Sequence, residues 1–276
     1  MSLVTSQQIE KYLELYSDVS LPFSKDVIEV LSFEMKQVYI RASGGQWPCI
    51  LNSASMQGAK IICNKNSPLL KNLSTKGVSN SSLRFSFADE DSKEPVTFFV
   101  NVRLIGVSDY QPPDIAMVSL AYTQRAPDAL IERLGKVISA TVNAKRFPNE
   151  NIAITDANVR RIALTRKELV IFIDGVPRRC ILQSLSFTGA TVYMMGVAAF
   201  LKKKSITLKF EFSDPEISLS LKGKTMDATP LEDRKDLVSL IIEFELPKVP
   251  LNYKLYLSRY FELPRKLVTT EAEGSE

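Results

Sequence analysis

The side chains that could do chemistry in this chain are basic and hydroxylic, and they cluster. Between residues 145 and 179 stand eight cations, Lys145, Arg146, Arg160, Arg161, Arg166, Lys167, Arg178 and Arg179, against four acids. The segment Ser184-Leu-Ser186-Phe-Thr-Gly189 follows directly. Guanidinium groups beside hydroxyls and a glycine turn suit an anion, because the planar fork of arginine pairs bidentately with phosphate. The competing reading of the same cations is a solvated basic face. The charge excess is confined to one half: residues 126–276 carry 23 basic and 19 acidic groups, the source of the whole +4. That balance is too mild for strong counterion-release binding, so no nucleic-acid polymer is expected as a partner.

What is missing excludes more. The chain has no histidine, so Ser-His-Asp and Cys-His nucleophiles, HExxH zinc sites and imidazole acid–base chemistry are all out. No GxxxxGK[ST] or GxGxxG is present to cradle a nucleotide phosphate chain. Cys49, Cys63 and Cys180 are odd in number and form no CxxC, which argues against a disulfide framework or a thiolate metal site. The expectation is a non-enzymatic protein with no metal and no cofactor. No signal peptide is read at the start, and the longest nearly apolar stretch, Tyr193 to Leu201, is about half of a membrane span. A soluble, cytoplasmic protein with reduced thiols is expected.

The chain repeats itself. Residues 49–59 read CILNSASMQGA and residues 180–190 read CILQSLSFTGA, identical at seven of eleven positions with an offset of 131. The match runs upstream without a gap, and ten of 42 positions are identical from Leu21 and from Ile152. Leu83-Arg-Phe-Ser-Phe87 resembles Leu208-Lys-Phe-Glu-Phe212 further on. With 276 residues, two domains of one kind are the natural partition.

The repeated unit is mostly strand. Val38–Arg41 and Leu169–Ile173 run into Ser-Gly-Gly and Asp-Gly, a hairpin signal, with Pro48–Leu51 and Arg179–Leu182 as return strands. Lys60–Cys63, Thr191–Met194, Val96–Ile105, Ala116–Tyr122 and Val238–Glu245 supply more short strands, which suits a small closed barrel without exposed edges. Phe85 with Phe87, and Phe210 with Phe212, repeat at the spacing that fills one face. Helices are expected at Ser6–Tyr16 (capped by Ser6 or Thr5), at Asp128–Ala144 and at Leu251–Phe261. Residues 64–82, residues 88–94 and the tail 269–276 read as loops or frayed chain.

A linker helix, a basic segment, then strands and a [DN]xSxxG-like turn resemble the PilZ domain, and Gln124-Arg-Ala-Pro-Asp128 resembles the junction of two-domain PilZ proteins. The resemblance implies a mainly β fold: two tandem six-stranded-type β-barrels joined by a connector α-helix, with N- and C-terminal helices. The expected domains are 1–126, a connector at 127–150, and 151–276. It also implies a signalling protein of the cyclic di-GMP receptor family. In that family two arginines of an RxxxR segment wrap the ligand, and the acid or amide of [DN]xSxxG receives guanine N–H groups.

This chain departs from both motifs. RxxxR becomes Lys145 with Asn149, or Arg146 with Glu150 one residue later, and Ser184 stands where Asp or Asn belongs. Each lost bidentate pair costs about 1–3 kcal/mol. Two losses weaken binding about 10²- to 10⁴-fold. The candidate cyclic di-GMP or anion site is therefore Lys145, Arg146, Asn149, Ser184, Ser186 and Gly189, with Arg178 and Arg179 as cations for a rebuilt site. The first reading is a degenerate site with nucleotide binding weak or lost, and function through a protein partner. The alternative is a working cyclic di-GMP receptor whose ligand reorients the two barrels. The first repeat, Ser53-Ala-Ser55-Met-Gln-Gly58 with Glu14 upstream, is expected to hold no ligand.

Overall fold

The computed structural model describes residues 3–74, 81–89, 94–232 and 234–262. The chain forms two compact units, Met1–Ser139 and Ala140–Glu276. The division falls within the connector helix.

The first unit opens with α1 (Leu3–Tyr16), β1 (Leu21–Pro22), α2 (Lys25–Val30), β2 (Tyr39–Ala42), β3 (Gly45–Pro48), β4 (Ile50–Ala54) and β5 (Gly58–Asn64). It continues with α3 (Pro68–Ser74), β6 (Ser81–Phe87), β7 (Val96–Tyr110), β8 (Ile115–Tyr122) and the start of α4 (Asp128–Arg146). Its eight strands are ordered β1-β4-β5-β8-β7-β6-β2-β3. Through Cys49 the chain runs from β3, at one end of this sheet, directly into β4, the second strand from the other end. Ile40, Leu51, Ile61, Leu83, Phe85, Phe87, Val100 and Val118 point inward and are buried.

The second unit contains β9 (Ile152–Ala153), α5 (Asp156–Arg161), β10 (Glu168–Ile173), β11 (Val176–Leu185) and β12 (Gly189–Met195). After them come α6 (Ala198–Leu201), β13 (Ser205–Ser213), β14 (Glu216–Leu231), β15 (Arg234–Phe244) and α7 (Leu251–Glu262). Here the strands run β10-β13-β14-β15-β12-β11-β9, and β10 also pairs with β11, closing six of them into a barrel. The period-two pattern is plain in β13, where Ile206, Leu208, Phe210 and Phe212 are buried and Ser205, Lys209 and Glu211 are exposed. From α7, Tyr253, Tyr256 and Leu257 join this core.

The two units share one topology, with unbroken β11 standing for β3 plus β4. Finer details recur at the same offset of 131. Ser24 and Thr155 cap short helices by accepting from Val27 N–H and Asn158 N–H. Both hairpins turn on two residues with positive φ, Ser43-Gly44 and Asp174-Gly175, the type I′ geometry that matches strand twist. Register shifts fall between Leu51 and Ser53 and between Leu182 and Ser184.

The mainly β expectation stands, with the six-stranded closed barrel found in the second unit and an eight-stranded sheet in place of the first, and with three local corrections. The return strands start directly after the two-residue turns, at Gly45 and Val176, earlier than the β-rich composition suggests. Residues 64–82 contain strand and the helix α3, because Leu69 is buried against the sheet; residues 75–80 lie outside the described residues. Helix α1 starts at Leu3, so Ser6 is internal and no cap, while the side chain of Thr5 and the tail 269–276 lie outside the described residues. Among the described residues no helix is long and apolar enough to cross a membrane.

Candidate functional site

The Ser184–Gly189 segment joins β11 to β12, and its serine and glycine are committed to holding the turn. Ser186 is buried; its N–H donates to the Gly189 carbonyl at 2.8 Å and its hydroxyl accepts from Thr188 N–H at 3.3 Å. A methyl group on Gly189 would meet the Ile242 carbonyl oxygen at 2.3 Å, so only glycine lets β12 lie this close to β15. Ser55 and Gly58 repeat the arrangement in the first unit, where Ser55 Oγ accepts from Gly58 N–H at 3.1 Å. The SxSxxG pattern is therefore a device of the fold in both halves. Chemistry specific to the second unit must come from what stands around the turn.

Three contacts fasten α4's exit to that turn. The Thr188 hydroxyl lies 2.6 Å from Asn149 Oδ1 and 3.1 Å from the Pro148 carbonyl. Phe147 stacks on Phe261 at 4.9 Å, and Phe187 stacks on the same Phe261 ring at 5.6 Å. Helix α7 holds the turn from behind: the buried Tyr253 hydroxyl donates to the Ser186 carbonyl at 2.8 Å, and burial lifts its phenol well above the ordinary range. Asn143 Nδ2 donates to Ser258 Oγ at 2.7 Å, a buried bond between α4 and α7.

The structure thus brings Asn149, Ser186 and Gly189 together, with Lys145 and Arg146 exposed on the last turn of α4 beside them. Cations there also favour the negative end of the helix dipole. The Arg146 guanidinium lies over the Phe147 ring at 5.1 Å. Ser184, half-buried, sits between Ala153 of β9 and Thr191 of β12, two residues before the turn serine. Arg178 and Arg179 are not brought near. They pair with Ile171 and Val170 at the far end of β11, six and five residues from Ser184. At ~3.4 Å per residue that is about 20 and 17 Å along the strand. Sequence proximity misleads here because an extended chain covers distance quickly.

Of the other cations, Arg166 pairs with Glu211 at 2.8 Å and Lys167 with Asp156 at 2.6 Å. Lys202 and Lys204 pair with Asp227 and Asp174, which makes that run a salt-bridged surface. Among the described residues no ion pair engages Lys145, Arg146, Arg178 or Arg179. Cys180 is buried, donates its S–H to the Leu169 carbonyl, and is pushed up to about 12 by that burial, which suits an inert packing residue.

Three contributors escaped sequence reasoning. Thr188 occupies an unconstrained position of the turn motif. Tyr253 and Phe261 belong to an aromatic stripe that reads as ordinary packing. Arg161, whose guanidinium lies over Tyr260 at 5.3 Å, completes a chain of contacts in which Tyr260 meets Phe261 edge-on at 5.2 Å. Two arginines, Arg146 and Arg161, thereby flank one aromatic group.

Fold and site together define a mainly β protein of two like units, an eight-stranded sheet and a closed six-stranded barrel, the second of which gathers cations, an amide and hydroxyls at one end. A family model for the PilZN3 domain matches residues 7–141. A cyclic di-GMP binding protein from Treponema denticola is 45% identical over 268 residues, covering 96% of this chain and 85% of that protein. The chain therefore belongs to the PilZ family, in its two-domain form with a PilZN3 domain first. Among solved structures, Borreliella burgdorferi PlzA in complex with c-di-GMP is 21% identical with a TM-score of 0.43, covering 93% of this chain and 99% of that one. Escherichia coli YcgR in complex with c-di-GMP is 12% identical with a TM-score of 0.28, covering 85% and 88%.

Proposed function

We propose that this chain is a non-enzymatic signalling protein that binds cyclic di-GMP weakly, where the exit of α4 meets the β11–β12 turn. The observation that carries the reading is the 45% identity, over nearly the whole chain, to a protein named for cyclic di-GMP binding. The sequence alone puts a partner-binding scaffold first; that relative moves the weight to the nucleotide. Lys145 and Arg146 supply the charge for the phosphates. The exposed Asn149 and the half-buried Ser184 supply the polar edge for guanine. The affinity is reduced for a chemical reason. Lysine lacks the bidentate fork of arginine, and one serine hydroxyl cannot accept two guanine N–H groups as a carboxylate does. A dissociation constant of about 10–100 µM is expected, about 10²-fold or more above a receptor with both motifs intact.

Calorimetric titration of the full chain with cyclic di-GMP tests this. Lys145→Ala/Arg146→Ala should abolish the signal, whereas Arg178→Ala/Arg179→Ala should leave it unchanged. The departures at Asn149, Glu150 and Ser184 favour a second reading, in which the nucleotide is lost and a protein partner has taken over the surface. A folded chain that gives no binding heat supports that reading.

A further inference from the structure

Cys49 and Cys63 meet across two strands of the first unit. Strands β4 and β5 are antiparallel with Ile50 opposite Ile62. Continuing this register by one pair sets Cys49 opposite Cys63. Both fall on the inward face, in step with the buried pair Leu51 and Ile61, and both are themselves buried. The Cys49 N–H donates to the Val38 carbonyl at 3.2 Å, so it points away from β5. The two cysteines therefore form a non-hydrogen-bonded pair, the closer of the two antiparallel spacings, with Cα atoms about 4.5 Å apart. A disulfide spans Cα separations of about 4.4–6.8 Å.

The pair is not sealed. Cys49 and Cys63 both line an open groove of about 520 Å³, together with Met35, Val38, Ile50 and Lys36. The second unit lacks the arrangement: the same register sets Cys180 opposite Met194, since Ile181 faces Tyr193.

We propose that Cys49 and Cys63 are a dithiol modification site, entered through this groove, which a small organic disulfide converts to a cross-strand disulfide. The thiolate of Cys63 attacks one sulfur of the reagent, releasing one thiolate and leaving a mixed disulfide. The thiolate of Cys49 then attacks the Cys63 sulfur, forming the S–S bond and releasing the second thiolate. Two electrons pass from the protein to the reagent, and the two thiol protons end on the released thiolates. Burial lifts both thiols, with the neighbouring Cys63 adding to the rise of Cys49 to about 12. The reaction is accordingly slow at neutral pH and speeds up as pH rises, because the thiolate is the nucleophile.

The test uses the folded, reduced full chain with oxidised glutathione at pH 8.5, followed by alkylation and tryptic mapping. Trypsin cuts after Lys60, between the two cysteines, so a cross-link joins two peptides. The expected product is a Cys49–Cys63 linked pair lacking two hydrogens, with Cys180 still alkylated. Cys63→Ser should give no linked pair. Recovery of Cys49 and Cys63 both alkylated overturns the proposal, as does a stable glutathione adduct on one of them. A link that forms only in denaturant overturns it too.

Discussion

At Gly189 a methyl group would stand 2.3 Å from the Ile242 carbonyl oxygen, and at Gly58 2.4 Å from that of Leu120. Backbone cannot yield as a side-chain tip can, so Gly189→Ala and Gly58→Ala should each cost more than about 2 kcal/mol, read from denaturant midpoints. The sequence shows that a glycine recurs there, but not why. The clash involves a strand more than fifty residues away, and only the closed sheet reveals it. Tyr253 gives a second prediction. Tyr253→Phe leaves the Ser186 carbonyl without its buried donor and should cost about 1–3 kcal/mol. The same phenol sets a pH dependence. Its proton is held in the folded state above the ordinary range, while the unfolded chain releases it near pH ~10. Stability is thus full below about pH 10 and falls as pH rises beyond it. In Tyr253→Phe the alkaline loss should be shallower, as urea titrations from pH 8 to 11 would reveal.

Helix α7 is the element on which the site depends. It places Tyr253 behind the turn, Ser258 against Asn143, and Phe261 on both Phe147 and Phe187. Phe261→Ala removes the ring that both other phenylalanines share. Amide exchange over residues 147–150 should then speed up at least several-fold, with little change in β13 and β14. Unchanged exchange in that segment would mean that Thr188 and the Asn149 contact hold it alone. The helix itself is legible from its aromatic spacing and the preceding Pro250. Its role is not, because a stripe of Tyr and Phe looks the same whether it fills a core or braces a loop. The linker segment is a different case: the resemblance alone marks Lys145, Arg146 and Asn149 as candidates, and the structure adds that Asn149 docks on Thr188.

Across the whole molecule, the offset of 131 carries the architecture: two units with one strand order, one hairpin geometry and one turn device. Of the seven identities among eleven positions, the second serine and the glycine are fixed by the turn itself, where Ser55 and Ser186 hold the backbone and Gly58 and Gly189 admit no side chain. What distinguishes the second unit is not in the shared positions. It lies in the charged exit of α4 and in Thr188, where the first unit has Gln57. A fragment of residues 127–276, with all of α4 and the closed barrel, should fold cooperatively and keep a β-type circular dichroism spectrum.

The proposed cyclic di-GMP site, chemically weakened, lies between the α4 exit and the β11–β12 turn. The most direct test is a pair of calorimetric titrations, on the natural chain and on Lys145→Arg/Asn149→Arg/Ser184→Asp. The natural chain should bind in the range of about 10–100 µM, and the triple variant about 10²-fold or more tightly, because each restored bidentate contact returns about 1–3 kcal/mol. Equal affinities in the two proteins, or no binding by either while both remain folded, would contradict the account.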